Sequence, residues 1–242
     1  MPKESLLSRW TRRGGLCVES RLLGLGFAHG VTTRALGSMK DPANRRRAVS
    51  AAGVEREPLV LHQVHGTGIV DASAASTPEP RPSADGWLCA EPGVACGVYV
   101  ADCLPLYVWD EDGSAAGVFH AGWKGLAAGM AREAVRSFRR LGLGPERLSA
   151  AIGPRVGACC YRVGPEVAAR FRAEVMRDGR LDLGAEARLQ FEESGLPAGR
   201  VSLAAECTSC SPEEFFSFRR DKQDSRMLAF IALPGSRGAR GS

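Results

Sequence analysis

Short apolar runs separated by turn residues constrain the fold of this chain more than any other feature. The run ACGVYVAD at 95–102 is typical of a buried strand, and PLYVWDEDGSAAGVFHAG, at 105–122, predicts two strands around a turn at DEDG. Three further segments, 58–70, 148–154 and 227–233, have the same extended character. The pattern therefore predicts a β-rich core built from several short strands.

Helical periodicity alternates with these strands. Apolar residues recur at spacings of three and four from Leu126 to Leu141. A second helix is predicted from Pro165, in its first turn, to Gly179, and a third around 184–195. Strand pairs mixed with separate helices predict an α/β fold of the mixed, α+β-like kind, with helices on the outer faces of the sheet.

The chain is predicted to form one domain. Its 242 residues contain 44% hydrophobic and 24% charged residues, which suits a globular protein, and no repeat or low-complexity linker divides it. We expect a single domain over 1–242 with flexible ends at 1–15 and 234–242. The Ala-, Ser- and Pro-rich segment 71–86 predicts a long loop that is a candidate lid.

The charge balance is only mildly basic. A net charge of +5, from 32 basic and 27 acidic residues, falls short of the basic face of a nucleic-acid-binding domain. No stretch approaches the roughly 20 apolar residues of a membrane-spanning helix, and the N-terminus does not read as a secretory signal. We therefore expect a soluble cytoplasmic protein that binds neither nucleic acid nor membrane. Small anions such as phosphate remain plausible ligands, and the oligomeric state is left open, a monomer included.

Eight cysteines in a chain of this size without a secretory signal indicate reduced thiols rather than disulfides. The pairs Cys159-Cys160 and Cys207-x-x-Cys210 stand out. Because the CxxC pair is isolated in the sequence and a tetrahedral zinc site needs a second pair, a metal at Cys207 and Cys210 is not favoured. Cys159 is expected to pack in the core.

The histidines and one cysteine lie where strands are predicted to end. His62 and His65 are three residues apart, so a regular strand would point them to opposite faces. His62 falls mid-strand, which favours a structural role, whereas His65 precedes Gly66 at the end of the run. Cys103 and His120 also occupy strand ends, and strand ends commonly converge on a site.

Two imidazoles and one thiolate, from His65, Cys103 and His120, suit a catalytic zinc with an open fourth position. Two alternatives remain open on these residues alone. The three residues are unrelated, or Cys103 is a metal-free nucleophile that His120 activates.

Five motifs occur in an order known from one protein family: LHQVHG, ADCLPL, HAGWKG, AIGPRVGACCY and FFSFRRD. Over about residues 25–233 the chain resembles the YfiH, or laccase-domain, family. The resemblance implies that His65, Cys103 and His120 are metal ligands. It also implies a layered sandwich of mixed β-sheets flanked by helices, similar to the catalytic domain of cytotoxic necrotising factors, which use a Cys–His pair without metal.

The resemblance implies a zinc-dependent purine nucleoside phosphorylase that acts on adenosine, inosine, guanosine and methylthioadenosine with phosphate, and that also deaminates adenosine. Zinc suits deamination because it lowers the pKa of bound water to about 7. The alternatives are a peptidoglycan-editing hydrolase with Cys103 as nucleophile and a copper-dependent polyphenol oxidase. A non-enzymatic scaffold is a third reading. Copper is disfavoured because a multicopper centre needs more histidines than the four present.

Further site residues follow from the motifs. Arg34 and Lys124 match basic family positions and are candidates to hold phosphate, and Gln63 is a candidate for a hydrogen bond to purine or ribose. Asp102 is expected to orient a ligand or to exchange a proton.

Three residues complete the expected site border. Cys160 and Tyr161 are expected to line it, and Arg219 is a candidate for an anion contact. The chain departs from the family after Arg34, where the loop is shorter, and at Arg162, where an acidic residue is usual.

Overall fold

The computed structural model describes residues 9–72 and 80–234. Within these ranges the strands are β1 (Trp10–Arg13), β2 (Leu16–Glu19), β3 (Ala28–Thr32), β4 (Leu59–Val60), β5 (Ile69–Asp71), β6 (Gly86–Cys89), β7 (Ala95–Val100), β8 (Leu104–Asp110), β9 (Ala116–Ala121), β10 (Leu148–Ile152), β11 (Met176–Arg177), β12 (Arg180–Leu181), β13 (Val201–Leu203) and β14 (Met227–Ala232). The helices are α1 (Ser20–Gly24), α2 (Pro42–Ser50), α3 (Trp123–Ala127), α4 (Met130–Ser137), α5 (Pro165–Ala168), α6 (Leu183–Glu193) and α7 (Phe218–Asp221).

Two mixed six-stranded sheets form the centre of the described structure. Sheet one has the order β1-β2-β3-β14-β7-β4, and sheet two has the order β13-β10-β8-β9-β6-β5. Neighbouring strands are antiparallel except in three pairs at the sheet edges, β4–β7, β5–β6 and β10–β13. The chain passes from sheet one to sheet two in the turn between β7 and β8, which places residues 101–103 where the two sheets meet.

Alternation along the strands builds the layers. In β8, Tyr107 and Trp109 belong to the core between the sheets, whereas Leu106 and Val108 belong to a second core with α4 and α6. In the same way β14 turns Phe230 away from sheet two, into a third core with α2. The result is helix, sheet, sheet, helix, so the layered α/β sandwich predicted from the sequence is confirmed.

The helix predicted from Leu126 to Leu141 is divided. α3 ends at Ala127, Gly129 adopts φ = 92°, and α4 begins at Met130. The last turn, Phe138–Leu141, is a 3₁₀ helix. The apolar spacing is nevertheless correct, since Leu126, Met130, Ala134 and Phe138 are all fully buried against sheet two.

The helix predicted from Pro165 to Gly179 is wrong beyond its first turn. α5 ends at Ala168, and β11 and β12 form a hairpin whose two turn residues, Asp178 and Gly179, have φ of 50° and 70°. Two consecutive positive φ values are typical of a type I′ turn, for which Asp-Gly is a preferred sequence. The third predicted helix is confirmed as α6.

The N-terminal prediction is also wrong in part. Residues 1–15 were expected to be flexible, but β1 pairs with β2, and Trp10 is buried in the core between the sheets. The rest of the expected flexible ends, 1–8 and 235–242, lies outside the described residues, as does 73–79 of the expected loop. No helix in the described part of the chain is long and apolar enough to cross a membrane. The division into domains stays a prediction.

Candidate metal centre

His65, Cys103 and His120 come together where the two sheets meet. Their ligand atoms all lie within 4.8 Å of one another. His65 follows β4 of sheet one, Cys103 lies in the turn that leads into β8, and His120 is the penultimate residue of β9. The three residues that the sequence nominated are therefore neighbours, although 55 positions of the chain separate the first from the last.

The backbone at His65 explains how the histidine reaches this position. His65 adopts φ = 60°, which ends the extended run and turns the imidazole towards His120, whose ring centroid lies 4.8 Å away at an interplanar angle of 83°. His62 keeps extended pairing with Ser83, but its side chain is exposed and lines a cavity, so burial does not support its predicted structural role.

Gly122 leaves the space that the cluster occupies. A Cβ atom on Gly122 would lie 2.9 Å from Cδ2 of His65 and 3.2 Å from Sγ of Cys103. Real side chains do not tolerate the first of these distances, so this position accepts only glycine unless the His65 ring moves. Gly122 of the Gly-Trp-Lys motif thus matters to the site because it has no side chain.

Asp85 is a site residue that the sequence analysis missed. Its buried carboxylate accepts a hydrogen bond from Nδ1 of His120 at 2.8 Å and from the backbone N–H groups of His65 and Gly66 at 3.0 and 2.8 Å. Because Nδ1 is engaged, Nε2 is the free nitrogen of His120. The only signal in the sequence was an acidic residue beside Gly86 in the loop that the analysis treated as a lid.

The charges of the cluster favour a deprotonated thiol. Burial alone would raise the pKa of Cys103, but His120 and His65 lower it to about 6. Burial alone would lower the pKa of His120, but Cys103 and Asp85 raise it to about 9. Without a metal the pair is therefore a thiolate and an imidazolium at neutral pH. A thiolate is also the form that binds a metal or attacks an electrophile.

The donor set fits Zn²⁺. Two imidazoles and one thiolate supply three ligands of a tetrahedron and leave the fourth position open, as in catalytic zinc sites. A blue-copper site would add an axial methionine. None of the described residues that line the adjoining cavities is a methionine.

Two cavities adjoin the centre and share a wall. The first, of about 430 Å³, and the second, of about 530 Å³, are both lined by His65, Ala101, Cys103 and Phe218. The first cavity combines aromatic and cationic side chains, among them Trp123, Lys124, Tyr161, Phe218, Arg219 and Lys222. The second is lined by more polar residues, among them Lys40, His62, Gln63, Asp224 and Arg226.

The predicted substrate-binding residues are distributed unevenly around these cavities. Lys124 and Tyr161 line the first cavity, and the guanidinium of Arg219 lies 5.4 Å from the centroid of the Tyr161 ring. Gln63 lines the second cavity, but its amide exchanges two hydrogen bonds with the backbone of Tyr99, at 2.9 and 2.7 Å. That contact accounts for Gln63 without a substrate.

Arg34 and Cys160 lie apart from both linings. Arg34 stacks on Phe216 and donates a hydrogen bond to the carbonyl oxygen of Pro212. Cys160 instead lies with Cys159, Cys207 and Cys210. Neither residue is among those that line the two cavities. Their roles as substrate contacts stay predictions.

Asp102 is held in place from two sides. One carboxylate oxygen accepts a hydrogen bond from the hydroxyl of Thr208 at 2.6 Å, and the other accepts one from the backbone N–H of Arg219 at 2.6 Å. In both contacts the carboxylate of Asp102 is the acceptor. These two hydrogen bonds hold the residue that immediately precedes Cys103, and the orienting and proton-exchange roles of Asp102 stay predictions.

The cysteines contradict two expectations. Cys159 was expected in the core but is exposed, whereas Cys160 is half-buried and packs against the core of sheet two. The CxxC pair was taken as isolated, but the fold brings Cys207 and Cys210 to the vicinal pair. Arg155 and Cys207 pair as a parallel bridge between distant segments, and that contact has no local signal in the sequence.

Comparison with known proteins identifies the family. Residues 27–234 match the family described as "Multi-copper polyphenol oxidoreductase laccase". The chain belongs to this laccase-domain family. The resemblance seen in the motifs is thereby confirmed.

Similar members of the laccase-domain family carry a different functional name. "Purine nucleoside phosphorylase" of Deinococcus radiodurans is 34% identical, with 91% of this chain and 95% of that protein covered. "Purine nucleoside phosphorylase YfiH" of Escherichia coli is also 34% identical, with 78% and 79% covered.

Solved structures of laccase-domain proteins have the same fold. The crystal structure of YlmD from Geobacillus stearothermophilus gives a TM-score of 0.83 at 28% identity and covers 93% of this chain and 99% of its own. Bacillus licheniformis YfiH gives 0.81 at 26% identity, with 93% and 98% covered. The two-sheet sandwich is therefore that of YfiH and YlmD.

Proposed function

We propose that this laccase-domain protein is a zinc-dependent purine nucleoside phosphorylase that also deaminates adenosine. The observation that carries the proposal is the cluster of His65, Cys103 and His120 beside two cavities, in which His65 and Cys103 line both cavities and His120 lines the second. Relatives of that name, at 34% identity, support the substrate class. The proposed substrates are adenosine, inosine, guanosine and methylthioadenosine, together with phosphate.

His65, Cys103 and His120 would hold the zinc. When bound, zinc supplies Lewis acidity beside the substrate and lowers the pKa of water to about 7, which deamination requires. Asp85 fixes the tautomer of His120 so that Nε2 remains available. Asp102, anchored by Thr208, positions the backbone of Cys103.

The first cavity suits the nucleoside. Trp123, Tyr161 and Phe218 offer apolar faces for a purine ring, and Lys124 and Arg219 bring positive charge to the same lining. In phosphorolysis an oxygen of phosphate forms a bond to C1′ of the ribose while the C1′–N9 bond breaks. The base leaves with the electron pair and takes up a proton, and cations near the phosphate hold its negative charge during this exchange.

Product chromatography after incubation with adenosine, with and without phosphate, tests the proposal. Adenine and ribose-1-phosphate should form only with phosphate, and inosine in either case. Cys103→Ala should lower the rates of phosphorolysis and of deamination by about 100-fold or more. The matched control is Cys89→Ala, at a buried free cysteine outside both cavity linings, and it should keep them. Full activity of metal-free protein would refute the zinc dependence.

One observation favours a second candidate, a cysteine hydrolase that edits peptidoglycan precursors. Cys103, whose pKa is lowered, contacts His120, and His120 contacts Asp85. The three side chains provide a nucleophile, the group that takes the thiol proton and a carboxylate that orients the imidazole. Metal-free protein that cleaves muropeptide precursors, and that loses this activity when iodoacetamide alkylates Cys103, would establish the hydrolase. If the protein converts nucleosides but leaves the muropeptide precursors uncleaved, the hydrolase is excluded.

A copper-dependent polyphenol oxidase is the weaker alternative. One His₂Cys cluster provides none of the additional copper ligands of a multicopper centre, despite the description of the family. Location in the cytoplasm, and the expectation that the chain binds neither nucleic acid nor membrane, stay predictions.

A further inference from the structure

The second cluster of metal-binding side chains consists of Cys159, Cys160, Cys207 and Cys210, here called the cysteine cluster. All four sulfur atoms lie within 4.8 Å of one another. Sγ of Cys210 is 3.5 Å from that of Cys159 and 3.3 Å from that of Cys160. Four thiolates at about 2.3 Å from one zinc ion would place their sulfurs about 3.8 Å apart. The cluster therefore already has the dimensions of a tetrahedral site.

The backbone around the cysteine cluster resembles the surroundings of a bound thiolate. The N–H group of Gly157 donates a hydrogen bond to Sγ of Cys207 at 3.1 Å. The CxxC segment is a tight turn, in which the N–H of Cys210 donates to the carbonyl oxygen of Cys207 at 3.1 Å. Hydrogen bonds to the ligand atoms are the feature that orients ligands at metal sites.

Two further contacts fix the loops that carry the cysteines. The guanidinium of Arg220 donates hydrogen bonds to the carbonyl oxygens of Thr208 and Ser209, at 2.8 and 3.2 Å. In the other loop, the N–H groups of Cys160 and Tyr161 both donate to the carbonyl oxygen of Gly157. Both loops are thus held by hydrogen bonds that need no ion, and such preorganisation reduces the entropy lost on binding.

The cysteine cluster lies partly in the core and partly at the surface. Cys207 is buried and Cys160 half-buried, whereas Cys159 and Cys210 are exposed, so an ion can enter from solvent. None of the four forms a disulfide. Ligand number, spacing, second-shell hydrogen bonds and an entry path are the properties by which a metal site is judged. The cysteine cluster has the number, the spacing and the entry path, and one of its four sulfur atoms, that of Cys207, accepts a backbone hydrogen bond.

We propose that Cys159, Cys160, Cys207 and Cys210 bind one Zn²⁺ as a structural site separate from His65, Cys103 and His120. Four thiolates in a tetrahedral arrangement select zinc or iron, and a closed set of four ligands leaves no position for a substrate. The proposal is independent of the proposed function.

A zinc ion here would join two distant loops. Thr208 lies within the CxxC turn and holds Asp102, which precedes Cys103. The ion would therefore also stabilise one wall of the first cavity, where Asp102 and Tyr161 lie.

Metal analysis of the full chain, purified with a thiol reductant, tests the proposal. Wild-type protein should hold two zinc ions. Cys159→Ser/Cys210→Ser should hold one, at His65, Cys103 and His120, and His120→Ala should hold one, at the cysteine cluster. The double variant leaves residues of the proposed active site unchanged, and Cys89→Ala is the matched cysteine control.

A second measurement covers the case in which the double variant fails to fold. Cadmium-113 NMR of cadmium-loaded wild-type protein should give two resonances, one of them in the low-field region of all-thiolate sites. One resonance from a mixed nitrogen and sulfur site alone would overturn the proposal. So would a disulfide within the cluster, or iron in place of zinc. A single zinc in the wild-type protein that persists in His120→Ala and is lost in Cys159→Ser/Cys210→Ser would support the cysteine site and refute the metal centre of the proposed function.

Discussion

His65 and Asp102 both have positive φ values, 60° and 87°, and both lie at the candidate metal centre. A residue with a Cβ atom rarely adopts this conformation, and the surrounding structure must compensate its cost of about 1–3 kcal/mol. At His65 the backbone N–H donates a hydrogen bond to Asp85. At Asp102 the carboxylate accepts hydrogen bonds from Thr208 and Arg219. These hydrogen bonds stabilise the two conformations. Two of the four non-glycine residues with positive φ in the described part of the chain thus lie at the cluster, and the other two are Asp178 and Lys222.

Gly122→Ala should disrupt the metal centre without unfolding the chain. The new methyl group would meet the His65 ring at 2.9 Å, so the imidazole must move and the affinity for zinc should fall at least 10-fold. Zinc affinity is measured by competition with a chromogenic chelator. The control is Gly199→Ala, where a methyl group meets nothing within 4 Å, and an equal loss there would contradict the argument.

His29 should make the protein sensitive to mild acid. Burial lowers its pKa from 6.5 to about 4. Above pH 6.5 the residue is neutral in the folded and the unfolded chain. As pH falls towards 4 only the unfolded chain binds the proton, so the folded state should lose up to about 3 kcal/mol.

Urea unfolding between pH 7 and 4 measures this loss. Two residues with titratable side chains contact His29: Glu19, whose backbone N–H donates a hydrogen bond to Nε2 of His29 at 2.9 Å, and Tyr107. Glu19, whose pKa burial raises, favours the folded state in acid, and the Tyr107 ring lies 6.3 Å away. The comparison is therefore between wild type and His29→Gln, which keeps the other groups. Parallel pH profiles for the two proteins would show that His29 contributes nothing.

At the scale of elements, the sequence predicted best where a continuous apolar run is bounded by clear turn residues. The hairpin of β8 and β9 was predictable because apolar residues flank an obvious turn at DEDG. The segment after Pro165 was not predictable. Its first residues have a helical pattern, so the turn signal at Asp178-Gly179 was interpreted as the end of a helix. β1 to β3 were missed since strands of four or five residues, here WTRR, LCVE and AHGVT, are too short to show a clear period.

Gly129 should determine where α3 ends and α4 begins. Its φ of 92° suits glycine, so Gly129→Ala should lower the free energy of unfolding by about 1 kcal/mol. Chemical denaturation measures the change, with Gly199→Ala again as control. Since a methyl group here meets nothing closer than 3.5 Å, zinc affinity should not change, and a stabilised variant would show that one continuous helix is preferred.

At the scale of the whole molecule, the predictable part of the candidate site was the proximity of three side chains near strand ends, His65, Cys103 and His120. Asp85 and the cysteine cluster were not predictable, because each depends on contacts between segments far apart in the sequence. Spacing along the chain carries no information on such pairings, so the CxxC pair looked isolated. Only the folded sheets show which loops meet.

Zinc should stabilise the packing of the two sheets. His65 follows a strand of sheet one and His120 belongs to sheet two, so the ion can bind only when both are in place. At a free zinc concentration 100 times its Kd, the linkage is about 2.7 kcal/mol. Thermal unfolding with buffered zinc and with a chelator measures it. The shift should be smaller in His120→Ala, and an unchanged shift would place the stabilising ion elsewhere.

Phe218 forms part of the wall between the two cavities, and it limits the size of a ligand. Its side chain is 49% exposed, so it contributes little to the core and its removal leaves the sandwich intact. Phe218→Ala would connect the two cavities. A single molecule long enough to span both would then fit beside Cys103, which makes this position the natural starting point for changing the ligand range by design.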